Sequence, residues 1–130
     1  MIVADASAVL EVVLNTLTGA AIANRLFAEN QTIHAPHLID VEVAQVLRRY
    51  ARTKVMEDSR AREVIQDFRD LPITRYPQDI LLERIWELRH NLPAYDGAYV
   101  ALAEALDAPL ITCDRALKSA SGHQAEILVF

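Results

Sequence analysis

One cysteine, three glycines, one tryptophan and an excess of acid over base mark what this chain does without. The lone Cys113 cannot close an internal disulfide, and no set of Cys and His stands at zinc spacing. The expectation is a protein of a reducing, cytoplasmic setting. Met1-Ile2-Val3-Ala4-Asp5 has no basic start, and its acid arrives before a long apolar run can form, so no signal peptide is expected. No apolar run approaches the ~20 residues that span a bilayer, so no membrane partner is expected either. There is no repeat at solenoid spacing and no low-complexity stretch. A net charge of −5 argues against a protein held to nucleic acid by a general basic field. A nuclease survives that test, because clustered acids that hold divalent cations make the metal-free protein look more acidic than the working one.

What is present suffices for a core: 130 residues, 52% of them hydrophobic, predict one compact domain over residues 1–130. Asn91 to Leu117 is the most informative stretch. It reads as helix, tight turn, buried strand and the start of another helix, with Asp96 near the first helix start and Asp114 just past the strand Leu110-Ile111-Thr112-Cys113. The N-terminus repeats the pattern in miniature. Ile2-Val3-Ala4 fits a buried strand ended by Asp5, and Ala6 to Leu14 then turns helical; helix capping by Asp5, supported by Ser7, explains that acid equally well.

Between these ends, Thr16 to Gly19 reads as a break and Ala20 to Asn30 as a helix. Thr32 to Ala35 reads as a strand closed by Pro36 at a first helical position. His34 and His37 carry no metal spacing and are read as structural or incidental. His37 to Lys54 predicts a helix with Ile39, Val43, Leu47 and Tyr50 inward. Glu42 lies at the margin of that stripe, where a carboxylate is costly unless paired or coordinating. Asp40 is expected to be solvated. Arg48, Arg49, Arg52 and Lys54 end the helix, most simply as favourable charge at its C-terminus. Glu57 to Asp70 predicts a helix with Ala61, Val64, Ile65 and Phe68 inward, and Leu71 to Pro77 a short strand or extended link. Gln78 to His90 predicts one helix, with Trp86 in the core or at an interface. Tyr95 and Tyr99 flank Asp96, one suited to the core and the other to a substrate groove. Gly122 closes the short helix after Asp114, and Ile127 to Phe130 is a final strand.

Each acid has a dull explanation, so their joint placement carries the argument. Asp5 and Asp114 end apolar strands, whose carboxyl ends lie on one edge of a parallel sheet. Glu42 and Asp96 follow Pro36 and Pro93 near helix starts, which is the same edge if strands and helices alternate right-handedly. Four acids there repel one another and lose stability unless a hard cation such as Mg²⁺ or Mn²⁺ takes their oxygens. A site of that kind suits hydrolysis at phosphorus by a metal-activated water.

The segments MIVADASAVLE, APHLIDVEVAQVLRR, and YDGAYVALAEAL followed by LITCDRAL resemble a PIN domain over essentially the full chain. More narrowly, they resemble the VapC toxins of bacterial and archaeal toxin–antitoxin pairs. The resemblance implies a three-layer α/β/α sandwich around a parallel sheet and a Mg²⁺- or Mn²⁺-dependent endoribonuclease that cuts RNA. It implies a catalytic, metal-binding set at Asp5, Glu42, Asp96 and Asp114, with supporting hydroxyls at Ser7 and Thr112. It also implies a homodimer and a small VapB-like antitoxin that wraps an apolar helical surface and reaches the acids with a basic side chain. Gly97 stands where the family more often has alanine or another small residue, which loosens the helix start. Three other readings compete. A Mg²⁺-binding receiver-like or other doubly wound signalling module wants paired acids at the first strand, where Asp5 stands alone. A haloacid-dehalogenase-like phosphatase wants a second Asp two positions after the first, where this chain has Ser7. A PIN domain kept only as a structural partner should have lost acids, and none is missing.

Overall fold

The computed structural model describes residues 1–130. Its centre is a five-stranded parallel sheet in the order β3-β2-β1-β4-β5. The strands are β1 (Ile2–Ala4), β2 (Ile33–Pro36), β3 (Ile73–Tyr76), β4 (Leu110–Thr112) and β5 (Ile127–Val129). Every residue of β1, β2 and β4 is buried, which is why these short segments are mostly apolar and show no polar face. In register, Val3 sits between His34 and Leu110, and Ala4 is paired with Ile111.

The chain steps from β1 to β2 to β3 on one side, then returns past β1 to add β4 and β5. Right-handed crossovers in opposite directions place helices on opposite faces of the sheet, giving the three-layer α/β/α arrangement. The outward steps carry α1 (Ala6–Val13), α2 (Leu17–Leu26), α3 (Leu38–Arg52) and α4 (Asp58–Asp70). The return carries a 3₁₀ turn over Gln78–Leu81, then α5 (Leu82–Glu87) and α6 (Ala94–Leu106), while α7 (Arg115–Ser119) joins β4 to β5. No single helix is long and apolar enough to cross a membrane.

Helix α6 is the second half of the core. Every residue from Gly97 to Ala103 is buried, and α6 packs across β1, β2 and β4. A helix buried nearly all round needs small side chains where backbones approach, and Ala98, Ala101 and Ala103 meet that need. It stops where Asp107 turns left-handed at φ 48°, just before Pro109. The 0% exposed Ile111 of β4 shows the scale of the packing: its truncation to Ala is expected to cost about 3 kcal/mol.

Several expectations need correction. Pro36 ends β2, paired with Tyr76, and does not open α3. Gly19 lies inside α2, not in a break: a Cβ there would come within 2.0 Å of the Glu11 carbonyl oxygen, so its role is close helix approach. Gln78–His90 is not one helix, and Leu82 and Trp86 face solvent at 59% and 68% exposure. Trp86 is therefore not core; Arg89 stacks on it at 4.6 Å. Ile65 is exposed, because α4 turns only Ala61, Val64 and Phe68 inward. Asp40 is not merely solvated; it accepts from Arg75 Nε at 2.8 Å across to β3. His34 is structural, with one ring nitrogen on Thr32 Oγ1 at 2.7 Å and the other on Tyr76 Oη at 2.8 Å.

Candidate active site

Strand order reverses between β1 and β4, and doubly wound sheets open a crevice beyond the carboxyl ends of strands at that point. Asp5 ends β1 and Asp114 follows β4, so the two acids flank the crevice. Both also cap helices, Asp5 as expected: Asp5 Oδ1 accepts from Ala8 N at 3.0 Å and Asp114 Oδ1 from Ala116 N at 2.9 Å.

Ser7 and Thr112 lock the two strand ends together. Ser7 Oγ donates to Asp5 Oδ1 at 2.6 Å and accepts from Cys113 N at 2.9 Å. Thr112 Oγ1 donates to Asp5 Oδ2 at 2.5 Å and accepts from Asp114 N at 2.9 Å. Each hydroxyl thus spends its one proton on Asp5 and its lone pair on the backbone around Asp114. Asp5 is 7% exposed. Its burial raises its pKa despite three hydrogen bonds that pull the other way, and Asp114 adds repulsion.

Glu42 and Asp96 arrive at the same edge from α3 and α6. Burial raises the pKa of Glu42, with repulsion from Asp5 and Asp96 adding to it; the Tyr99 hydrogen bond opposes. Burial likewise raises Asp96, followed by repulsion from Asp114 and Asp5. No Lys, Arg or His pairs with any of the four acids. The structure therefore brings Asp5, Glu42, Asp96 and Asp114 to one edge, near enough to repel, as the strand and helix pattern suggested.

The donor chemistry fits a hard divalent cation: unpaired carboxylates, with hydroxyls behind them and no thiolate or imidazole set. The acids do not close a shell, since no three of them gather as ligands around one point. Mg²⁺ does not require that, because it is commonly held by one or two carboxylates, with waters and substrate phosphate completing its octahedron.

One contact was not legible in the sequence. Tyr99 Oη donates to Glu42 Oε1 at 2.6 Å, across 57 residues. Of the two tyrosines flanking Asp96, Tyr99 is the core residue at 2% exposure and Tyr95 the open one at 68%. Tyr95 borders a groove of about 520 Å³ with Leu10, Val41, Gln45 and Val46, which runs up to Ser7 and Glu42. The spacing of Tyr99, three after Asp96, was the only available signal that it shares a helix side with that acid.

A five-stranded parallel sheet with helices on both faces, its strand-order reversal flanked by carboxylates, defines an α/β fold of the PIN type. The PIN domain model matches residues 2–122. Ribonuclease VapC12 of Mycobacterium tuberculosis H37Rv is 46% identical over 127 residues, 98% of this chain and 97% of its own length. Ribonuclease VapC9 of the same strain is 46% identical over 129 residues, 99% and 98% of the two chains. The chain belongs to the PIN domain family, within its VapC group. Two solved structures share its fold. VapBC2 from Rickettsia felis, bound to a DNA fragment from its promoter, gives a TM-score of 0.71 at 15% identity over 98% of each chain. PAE2754 from Pyrobaculum aerophilum gives 0.70 at 21% identity, over 97% of this chain and 81% of that one.

Proposed function

We propose that this chain is a Mg²⁺- or Mn²⁺-dependent endoribonuclease, the toxin of a VapBC-type pair. The observation that carries the reading is the convergence of Asp5, Glu42, Asp96 and Asp114, without any basic partner, at the sheet's switch point. The ribonuclease names of relatives 46% identical over nearly the whole chain support the substrate class.

In this reading the acid cluster holds the cation, one or two carboxylates directly and the others through its waters, with Asp5 as the most rigid member and Asp114 as the most open. The bound cation would supply a water of lowered pKa and a counter-charge for the scissile phosphate. The chain's own residues do the rest. Ser7 and Thr112 fix both oxygens of Asp5 so that it need not reorganise when substrate arrives. Tyr95, with Leu10, Val41 and Val46, offers an apolar wall beside the acids along which an unpaired RNA strand can lie. No other charge neutralises the acids, so phosphate approaches only once the cation is present.

The same groove is proposed as the seat of a VapB-like antitoxin, whose basic side chain would compete with cation for the carboxylates. The solved VapBC2 assembly supports a partner of that kind. We further propose that residues 1–130 act as one domain, that it works in the cytoplasm, and that it forms a homodimer. A receiver-like module gains no support, since no second acid joins Asp5 at the end of β1.

The test is cleavage of total RNA by purified protein freed of any antitoxin by denaturation and refolding. Discrete fragments are expected with Mn²⁺, and none with EDTA or with Asp96→Ala. Equal cleavage by a well-folded Asp96→Ala protein would overturn the assignment.

A further inference from the structure

Asp5 and Asp114 are short side chains fixed by capping their own helices and Asp96 is a short side chain in the first turn of α6, but Glu42 has no such anchor. It reaches the cluster from the second turn of α3 through a longer, half-exposed side chain. Asp5 and Asp96 both repel it, and it has no basic partner. Left to electrostatics, its carboxylate would swing toward water and away from the other acids. Its one side-chain hydrogen bond opposes this: the Tyr99 hydroxyl donates to Oε1 at 2.6 Å.

Tyr99 is well placed for that task. It is 2% exposed, fixed on α6 where that helix crosses β1 and β2. Asp96 lies three residues earlier on the same helix, so one rigid element carries both an acid of the cluster and the donor that holds a second acid. A phenol has a single proton, so only Oε1 is engaged and Oε2 stays free for another ligand.

We propose that Tyr99 is a positioning residue: its hydroxyl holds the Glu42 carboxylate in the acid cluster and thereby sets how tightly the cluster binds a divalent cation. This rests on the reading that the acids bind such a cation. Partners that orient metal-bound groups typically change metal affinity by ~10–100-fold when removed. If Glu42 were merely the nearest acceptor for a buried phenol, loss of the hydroxyl would touch folding stability and leave cation binding alone.

The experiment is Mn²⁺ titration by calorimetry of the full chain, free of antitoxin, in four forms: wild type, Tyr99→Phe, Glu42→Gln and the double variant. Phenylalanine keeps the ring and its packing, and a melting curve without metal confirms the fold. Tyr99→Phe is expected to weaken Mn²⁺ binding about 10-fold. The double variant should bind no more weakly than Glu42→Gln alone, because the two residues act through one contact. Affinity within twofold of wild type for Tyr99→Phe, or a loss that simply adds to that of Glu42→Gln, would overturn the proposal. A wild type that binds no Mn²⁺ at all would instead remove the cation reading beneath it.

Discussion

A carboxylate that caps a helix and accepts hydrogen bonds ordinarily titrates low, and Asp5 does both; yet its pKa is raised, because burial at 7% exposure outweighs three donors. The same direction at Glu42 and Asp96 has a thermodynamic consequence. As pH rises past the ordinary carboxylate range, the unfolded chain gives up these protons first. The folded state then binds more protons than the unfolded one, so stability falls with rising pH until the raised folded values are passed. Below the ordinary range both states are protonated and the three acids contribute nothing. Glu104, lowered by its hydrogen bond to Arg84, works the opposite way: its stabilisation is present above the carboxylate range and fades as pH falls. Asp96→Asn removes one charge from the repelling set and leaves Glu104 untouched. In EDTA it should melt a few degrees above wild type near neutral pH, with the gap closing toward about pH 4. Thermal scans across that range check it, and a gap independent of pH would count against repulsion as the cause. At this scale the sequence revealed the acids and the cap of Asp5, since capping is local. It hid Tyr99–Glu42 and Asp40–Arg75, because pairs 57 and 35 residues apart are set by the topology.

At the scale of elements, periodicity located every helix-forming region but misjudged which side some of them bury. Leu82, Trp86 and Ile65 follow apolar spacing and still face solvent, because a stripe on the sequence does not say how much of it a neighbour covers. Glycine was misread for a related reason. Gly19 suggested a break, whereas it lets α2 cross α1 at backbone contact; Gly19→Ala would drive a Cβ to 2.0 Å from the Glu11 carbonyl and should cost more than about 1 kcal/mol. Gly97 suggested a loosened helix start, and there a Cβ fits: it would meet Ile85 Cγ2 at 3.6 Å, an ordinary contact. Gly97→Ala should therefore stabilise by about 0.5–1 kcal/mol through helix propensity alone. Urea midpoints of the two variants, moving in opposite directions, would separate close approach from flexibility. Two shifts of the same sign would refute one of the two assignments.

For the whole molecule, the order β3-β2-β1-β4-β5 turns short local signals into a site. It makes β1 and β4, far apart in the chain, direct neighbours, and so sets Asp5 beside Asp114 at the reversal of strand order. The alternation of strand and helix made this sheet foreseeable. The conformation of Glu42 was not foreseeable, because it depends on a phenol that packing delivers. The cost of that assembly is a core bordered by like charges with no basic partner, which a native-state cation would relieve. Binding confined to the folded form stabilises by about 2.7 kcal/mol when the ligand stands at 100 times its dissociation constant. Millimolar Mn²⁺ should therefore raise the melting temperature of the wild type by several degrees, and that of Asp96→Asn by clearly less. In metal the order of the two proteins should then draw together or invert relative to EDTA. An identical Mn²⁺ shift in both would mean that the cation binds elsewhere and that crowding of the acids at the switch point serves some other end.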